Sequence, residues 1–97
     1  MKTRYKVAIQ GIVQGVGFRP FVYQQAVARR LTGYVTNTSH GVDLEVEGEE
    51  SVLDDFLRTV REKAPPLSRI TSLKLQPLPP QGDSEFTIRK SRDHYMV

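Results

Sequence analysis

Apolar residues follow two rhythms along this chain. Between Tyr5 and Val13, Tyr5, Val7, Ile9 and Val13 fall on one side, and Lys6, Ala8 and Gln10 fall on the other. That is the period of a half-buried strand. Val22, Tyr23, Ala26, Val27 and Leu31 then recur at helical spacing, which predicts a helix from about Pro20 to Leu31. Pro20 suits its first position, Arg29 and Arg30 suit the negative end of its dipole, and Gly33 is expected to close it as a left-handed cap.

Tyr34-Val35-Thr36 is rich in strand formers, and Asn37-Thr-Ser-His-Gly41 supplies turn residues. Beyond it, Val42, Leu44 and Val46 alternate with Asp43, Glu45 and Glu47, so a β-hairpin is expected, with its three acids on a wetted face. Ser51, with Asp54 three residues on, reads as the N-cap of a second helix, whose stripe is Leu53, Phe56, Leu57, Val60 and Ala64. Pro65-Pro66 ends it. Strands are expected at Ile70–Leu75 and Glu85–Arg89, joined through Pro77, Pro79, Pro80 and Gly82.

This order predicts an α+β chain with a ferredoxin-like βαββαβ sandwich. Its antiparallel sheet should carry two helices on one face and a short extra C-terminal strand. Residues 1–90 are read as one domain, and residues 91–97 as a disordered tail or linker remnant. If Val42–Val46 lies at an edge, its alternating acids oppose edge-to-edge pairing, so a monomer is expected.

The 97 residues are 38% apolar and 26% charged, ordinary for a folded domain, and include no cysteine. No apolar run approaches the ~18 residues of a membrane span, and the N-terminus lacks an apolar signal core. A cytoplasmic protein without membrane contact is expected. The net charge of +3 is scattered rather than clustered, so it suits a small anion as well as a nucleic acid.

Other chemistry narrows the choice. An RNA-recognition sheet needs stacking aromatics on its central strands, and Val42–Glu47 has none, so no nucleic-acid partner is expected. His40 and His94 have no partner at ligand spacing, so neither a metal nor another cofactor is expected. The stretch from Gly11 to Pro20 remains. A glycine-rich turn between strand and helix lets backbone N–H groups converge on an anion, and Arg19 adds a guanidinium fork. Asn37, opening the hairpin turn, either serves the turn itself or holds a water with its amide.

Gly11-x-Val13-Gln14-Gly15-Val16-x-Phe18-Arg19, followed by Gly33-Tyr34-Val35-x-Asn37 and Gly41-Val42, resembles the acylphosphatase signature. The resemblance runs through the second helix and Pro65-Pro66 to Phe86-Thr-Ile-Arg89. Val16-Gly-Phe-Arg-Pro-Phe-Val-Tyr23 and Pro65-Pro-Leu-Ser-Arg-Ile70 are similar to one branch, the N-terminal domain of the HypF-type carbamoyltransferase that matures nickel–iron hydrogenases. That resemblance implies hydrolysis of an acyl phosphate, carbamoyl phosphate in that branch, within a larger enzyme whose further domains would be its partners. It implies that Gly15, Val16, Gly17, Phe18 and Arg19 bind the phosphate, and that Arg19 and Asn37 are the catalytic pair, with Asn37 orienting the attacking water. A stand-alone acylphosphatase and a non-hydrolytic module that binds an acyl phosphate or a protein partner are the alternatives.

Overall fold

The computed structural model describes residues 2–90; the expectations for residues 91–97, His94 included, lie outside the described residues. The elements are β1 (Lys2–Ile12), α1 (Phe18–Ala28), β2 (Thr32–Thr38), β3 (Gly41–Glu49), α2 (Glu50–Glu62), β4 (Arg69–Leu78) and β5 (Phe86–Arg89). They form a five-stranded sheet in the order β4-β1-β3-β2-β5. The β4-β1-β3-β2 part is antiparallel, as the ferredoxin-like reading expects, and β5 adds to β2 in parallel, making the whole sheet mixed.

Alternation along the strands decides what each face carries. Val7 stands opposite Leu44, Ile9 opposite Val42 and Val35 opposite Leu44, and all five are buried with residues of both helices. Phe18, Val22 and Ala26 of α1 and Leu53, Phe56, Leu57 and Val60 of α2 complete this core. Asn37 stands opposite Val42, so it continues the row of Gly33 and Val35 on the helix side of β2.

Several local expectations fail for tertiary reasons. The first helix starts at Phe18, so Pro20 is its third residue; the first three helical N–H groups have no intrahelical acceptor, and proline costs nothing there. The helix ends at Ala28 with Arg29 as its C-cap, and the left-handed residue that follows is Arg30 (φ 58°), not Gly33: Arg30 N donates to Val27 O and Leu31 N to Ala26 O. Gly33 lies inside β2, where a Cβ would run into the Glu45 carbonyl oxygen. Ser51 is not a cap either. Strand β3 runs straight into α2, Glu49 occupies the N-cap in extended conformation, and no side chain caps the helix.

The acids of β3 also depart from expectation. Their strand is not an edge but lies between β1 and β2, and the sheet ends in β4 and β5. On the face away from the helices Glu47 is only 2% exposed and Arg4 only 1%. Arg4 donates through Nη1 to Glu47 (3.0 Å) and Asp83 (3.1 Å) and through Nε to Glu45 (2.9 Å). The Glu47 carboxylate also accepts the backbone N–H groups of Gln81 (2.7 Å) and Gly82 (3.1 Å). The connection from β4 to β5 thus folds over the sheet and is latched to it by ions. Burial opposes ionisation of Glu47, but the bonds from Gln81, Arg4 and Gly82 outweigh it and hold its carboxyl below the usual range.

Candidate functional site

The glycine loop leaves β1 and enters α1 with both of its ends anchored. Val13 before it and Phe18 after it are each 1% exposed, in the shared core. Burying side chains of this size is worth roughly 1.5–3 kcal/mol each, so the loop between them has little freedom to drift. Within it Gly15 (φ 73°) and Gly17 (φ 79°) take the left-handed conformation. A Cβ at either would meet nothing within 4 Å, so glycine is needed there for backbone angle and not for space.

The first helical hydrogen bond runs from Phe21 N to Gly17 O at 3.2 Å. Phe18 and Arg19 therefore present N–H groups with no intrahelical acceptor, and Pro20 has none to present. These donors, the positive end of the helix dipole and the Arg19 guanidinium are chemically suited to hold an anion. Arg19 is held from the far edge of the sheet: its Nη1 donates to the Arg89 carbonyl at the end of β5 (3.1 Å), leaving its other N–H donors for a ligand. The same end of β5 is tied to β2, where Thr36 Oγ1 donates to the Lys90 carbonyl at 2.6 Å.

Gly15, Gly17, Phe18, Arg19 and Asn37 line one open depression of about 240 Å³, together with Val13, Gln14 and Pro20. Val16, expected to bind phosphate, is not in its lining; its side chain packs against the core. Asn37 sits within β2 rather than opening the turn, and the turn itself is Ser39-His40. Its Oδ1 is buried and has no hydrogen-bond partner among the described residues. A buried acceptor without a donor is costly unless something fills it, so this atom is suited to accept a hydrogen bond from a bound water or ligand.

Three features of the site were missing from the sequence reading. The Arg89 carbonyl that steadies Arg19 and the Lys90 carbonyl bound by Thr36 are backbone atoms far along the chain, and no residue type marks them. Gln14 is the third. Its Nε2 donates to the carbonyls of Thr38 and Gly41 (2.7 Å to the latter), tying the loop to the hairpin that bears Asn37.

Comparison with known proteins extends this geometry. The acylphosphatase family model matches residues 5–88. An acylphosphatase of Bacillus pumilus is 50% identical over 76 residues, 77% of this chain and 83% of that protein. Carbamoyltransferase HypF of Rhizobium leguminosarum bv. viciae is 47% identical over 88 residues, which is 91% of this chain but 11% of the relative. Among solved structures, full-length HypF in its phosphate- and nucleotide-bound form superposes with a TM-score of 0.90 at 38% identity, covering 95% of this chain and 12% of that one. The acylphosphatase of Bacillus subtilis superposes at 0.85 with 35% identity, covering 92% and 99%.

Proposed function

This chain belongs to the acylphosphatase family, and on that premise we propose that it hydrolyses an acyl phosphate to a carboxylate and inorganic phosphate. We propose carbamoyl phosphate as the substrate, giving carbamate, and a working context within a larger carbamoyltransferase. The identity to HypF supports both, and the chain spans 11% of that relative's length. The observation that carries the reading is one depression bearing a glycine loop, Arg19 and the Asn37 Oδ1, which has no partner among the described residues.

The phosphoryl group sits against the N–H groups at the start of α1, where Arg19 offers a fork to its oxygens. Asn37 Oδ1 accepts a hydrogen bond from a water and turns the water's oxygen toward phosphorus. The water oxygen bonds to phosphorus while the bond from phosphorus to the acyl oxygen breaks, and that electron pair leaves on the carboxylate. The water's proton passes to the phosphate, because asparagine does not titrate and serves only to orient. An acyl phosphate is a mixed anhydride with a good leaving group. Electrostatic complementarity and a placed water are therefore the main needs.

The test is phosphate release from benzoyl phosphate and carbamoyl phosphate by the 97-residue chain and two variants. Arg19→Ala is expected to lose phosphate binding and turnover together. Asn37→Ala should lose turnover by about 100-fold or more while inorganic phosphate still inhibits at a similar concentration. Phosphate bound at Arg19 without turnover by the wild type would overturn the reading in favour of a binding module.

A further inference from the structure

We infer that Gln14 is a positioning residue that sets the distance and angle between the glycine loop and Asn37; this rests on the hydrolytic reading above. Arg19 and the loop belong to the β1–α1 segment, whereas Asn37 belongs to β2, and hydrolysis needs both registered on one phosphorus atom. The peptide backbone does not link them directly. Gln14 does. Its side-chain amide leaves the loop and donates to the Thr38 carbonyl and the Gly41 carbonyl. Thr38 and Gly41 are the last register pair of the β2–β3 hairpin, flanking Ser39-His40.

The chemistry of the two acceptors settles the orientation of the amide. Both are carbonyl oxygens, so only the NH₂ end of Gln14 can satisfy them, one hydrogen to each strand. A shorter amide would not reach both, and a side chain without N–H donors would hold neither. Asn37 lies one residue before Thr38 on the same strand, so a clamp on Thr38 fixes the backbone that carries the water-holding amide. Gln14 is largely exposed, and water can replace its bonds when it is removed, so stability depends on it only weakly. Alignment depends on it strongly, because displacements near 1 Å at a reacting centre cost rates of order 100-fold.

Gln14→Met keeps length and neutrality and removes the donors; Gln14→Ser shortens the side chain out of reach of both carbonyls and admits water. Both are expected to lower kcat by about 10- to 100-fold, with inhibition by inorganic phosphate changed less than about 3-fold. The thermal midpoint should fall by about 5 °C or less. In an Asn37→Ala background the same substitutions should add less than about 3-fold, because the clamp acts through Asn37. Fully additive losses, an unchanged kcat, or variants that do not fold would each overturn the proposal.

A wild type without turnover would instead overturn the hydrolytic reading, and the clamp is then read from ¹⁵N relaxation. Backbone order parameters at Gly15, Val16 and Gly17 should drop from near the rigid value of about 0.85 toward about 0.6 in Gln14→Met. Unchanged order parameters would refute the clamp on their own.

Discussion

Glu47→Gln is an exacting test of the ion cluster that latches the β4–β5 connection. The native carboxylate receives Arg4 and the Gln81 N–H on one oxygen and the Gly82 N–H on the other. An amide has only one acceptor oxygen. In its best orientation glutamine keeps Arg4 and Gln81 and turns its NH₂ toward the Gly82 N–H, donor against donor. An unsatisfied buried donor costs about 1–3 kcal/mol, and weakening a charge-assisted bond to a neutral one costs about 1 more. Arg4 keeps Glu45 and Asp83, so the loss stays below the roughly 3–5 kcal/mol of a fully broken buried pair. A destabilisation of about 2–4 kcal/mol is expected from urea unfolding at neutral pH, with the slope m unchanged.

The pH dependence has a definite sign. Burial opposes ionisation of Glu45 too, but bonds from Arg4 and Tyr34 hold its carboxyl below the usual range, as Glu47 is held. Their stabilisation is complete above the unfolded value near 4.3 and is lost as pH falls through the lower folded values. Wild-type stability should therefore decline below about pH 4, and the decline should be shallower in Glu47→Gln. A loss below about 1 kcal/mol at neutral pH, or equal acid slopes in both proteins, would refute the latch.

Three further outcomes are expected. Arg30→Gly relieves a left-handed residue at the end of α1 and should raise the thermal midpoint by about 4–8 °C, from roughly 1 kcal/mol. Gly33→Ala drives a methyl onto the Glu45 carbonyl oxygen, so it should cost about 3 kcal/mol or more; Gly17→Ala, with open space but positive φ, should cost about 1–2. Denaturant titrations compare the two directly. Arg19→Lys swaps a fork for a point charge and should lower kcat/KM for benzoyl phosphate by at least about 10-fold; full retention would refute two-point recognition.

The elements were legible along the chain because they rest on local periodicity, and so were most of the faces they bury. Tyr23 and Val27 of the stripe expected on α1 are nevertheless exposed, and only Val22, Ala26 and Leu31 of it are buried. Val7 and Ile9 on β1, the stripe from Leu53 to Val60 on α2, and the glycine loop before Arg19 follow from spacing alone. Helix ends were not legible. Gly33 and Ser51 have the right residue types for caps, yet sheet pairing and the direct passage of β3 into α2 claimed those positions. Three alternating acids looked like a wet face because nothing local shows that residues 79–83 return to cover it. Arg4, near the start of the chain, pairs with Glu47 and Asp83 only once β1 and β3 are side by side.

The candidate site divides in the same way. Glycine conformation, the proline after the arginine and the residue types themselves are local, so the sequence by itself determined the loop and Arg19. That Asn37 points to the helix side beside that loop, with Gln14 and the Arg89 carbonyl holding the parts in place, depends on strand register and on contacts across the chain. Only the tertiary structure decided those, because register sets which face a side chain takes, and no local preference encodes it.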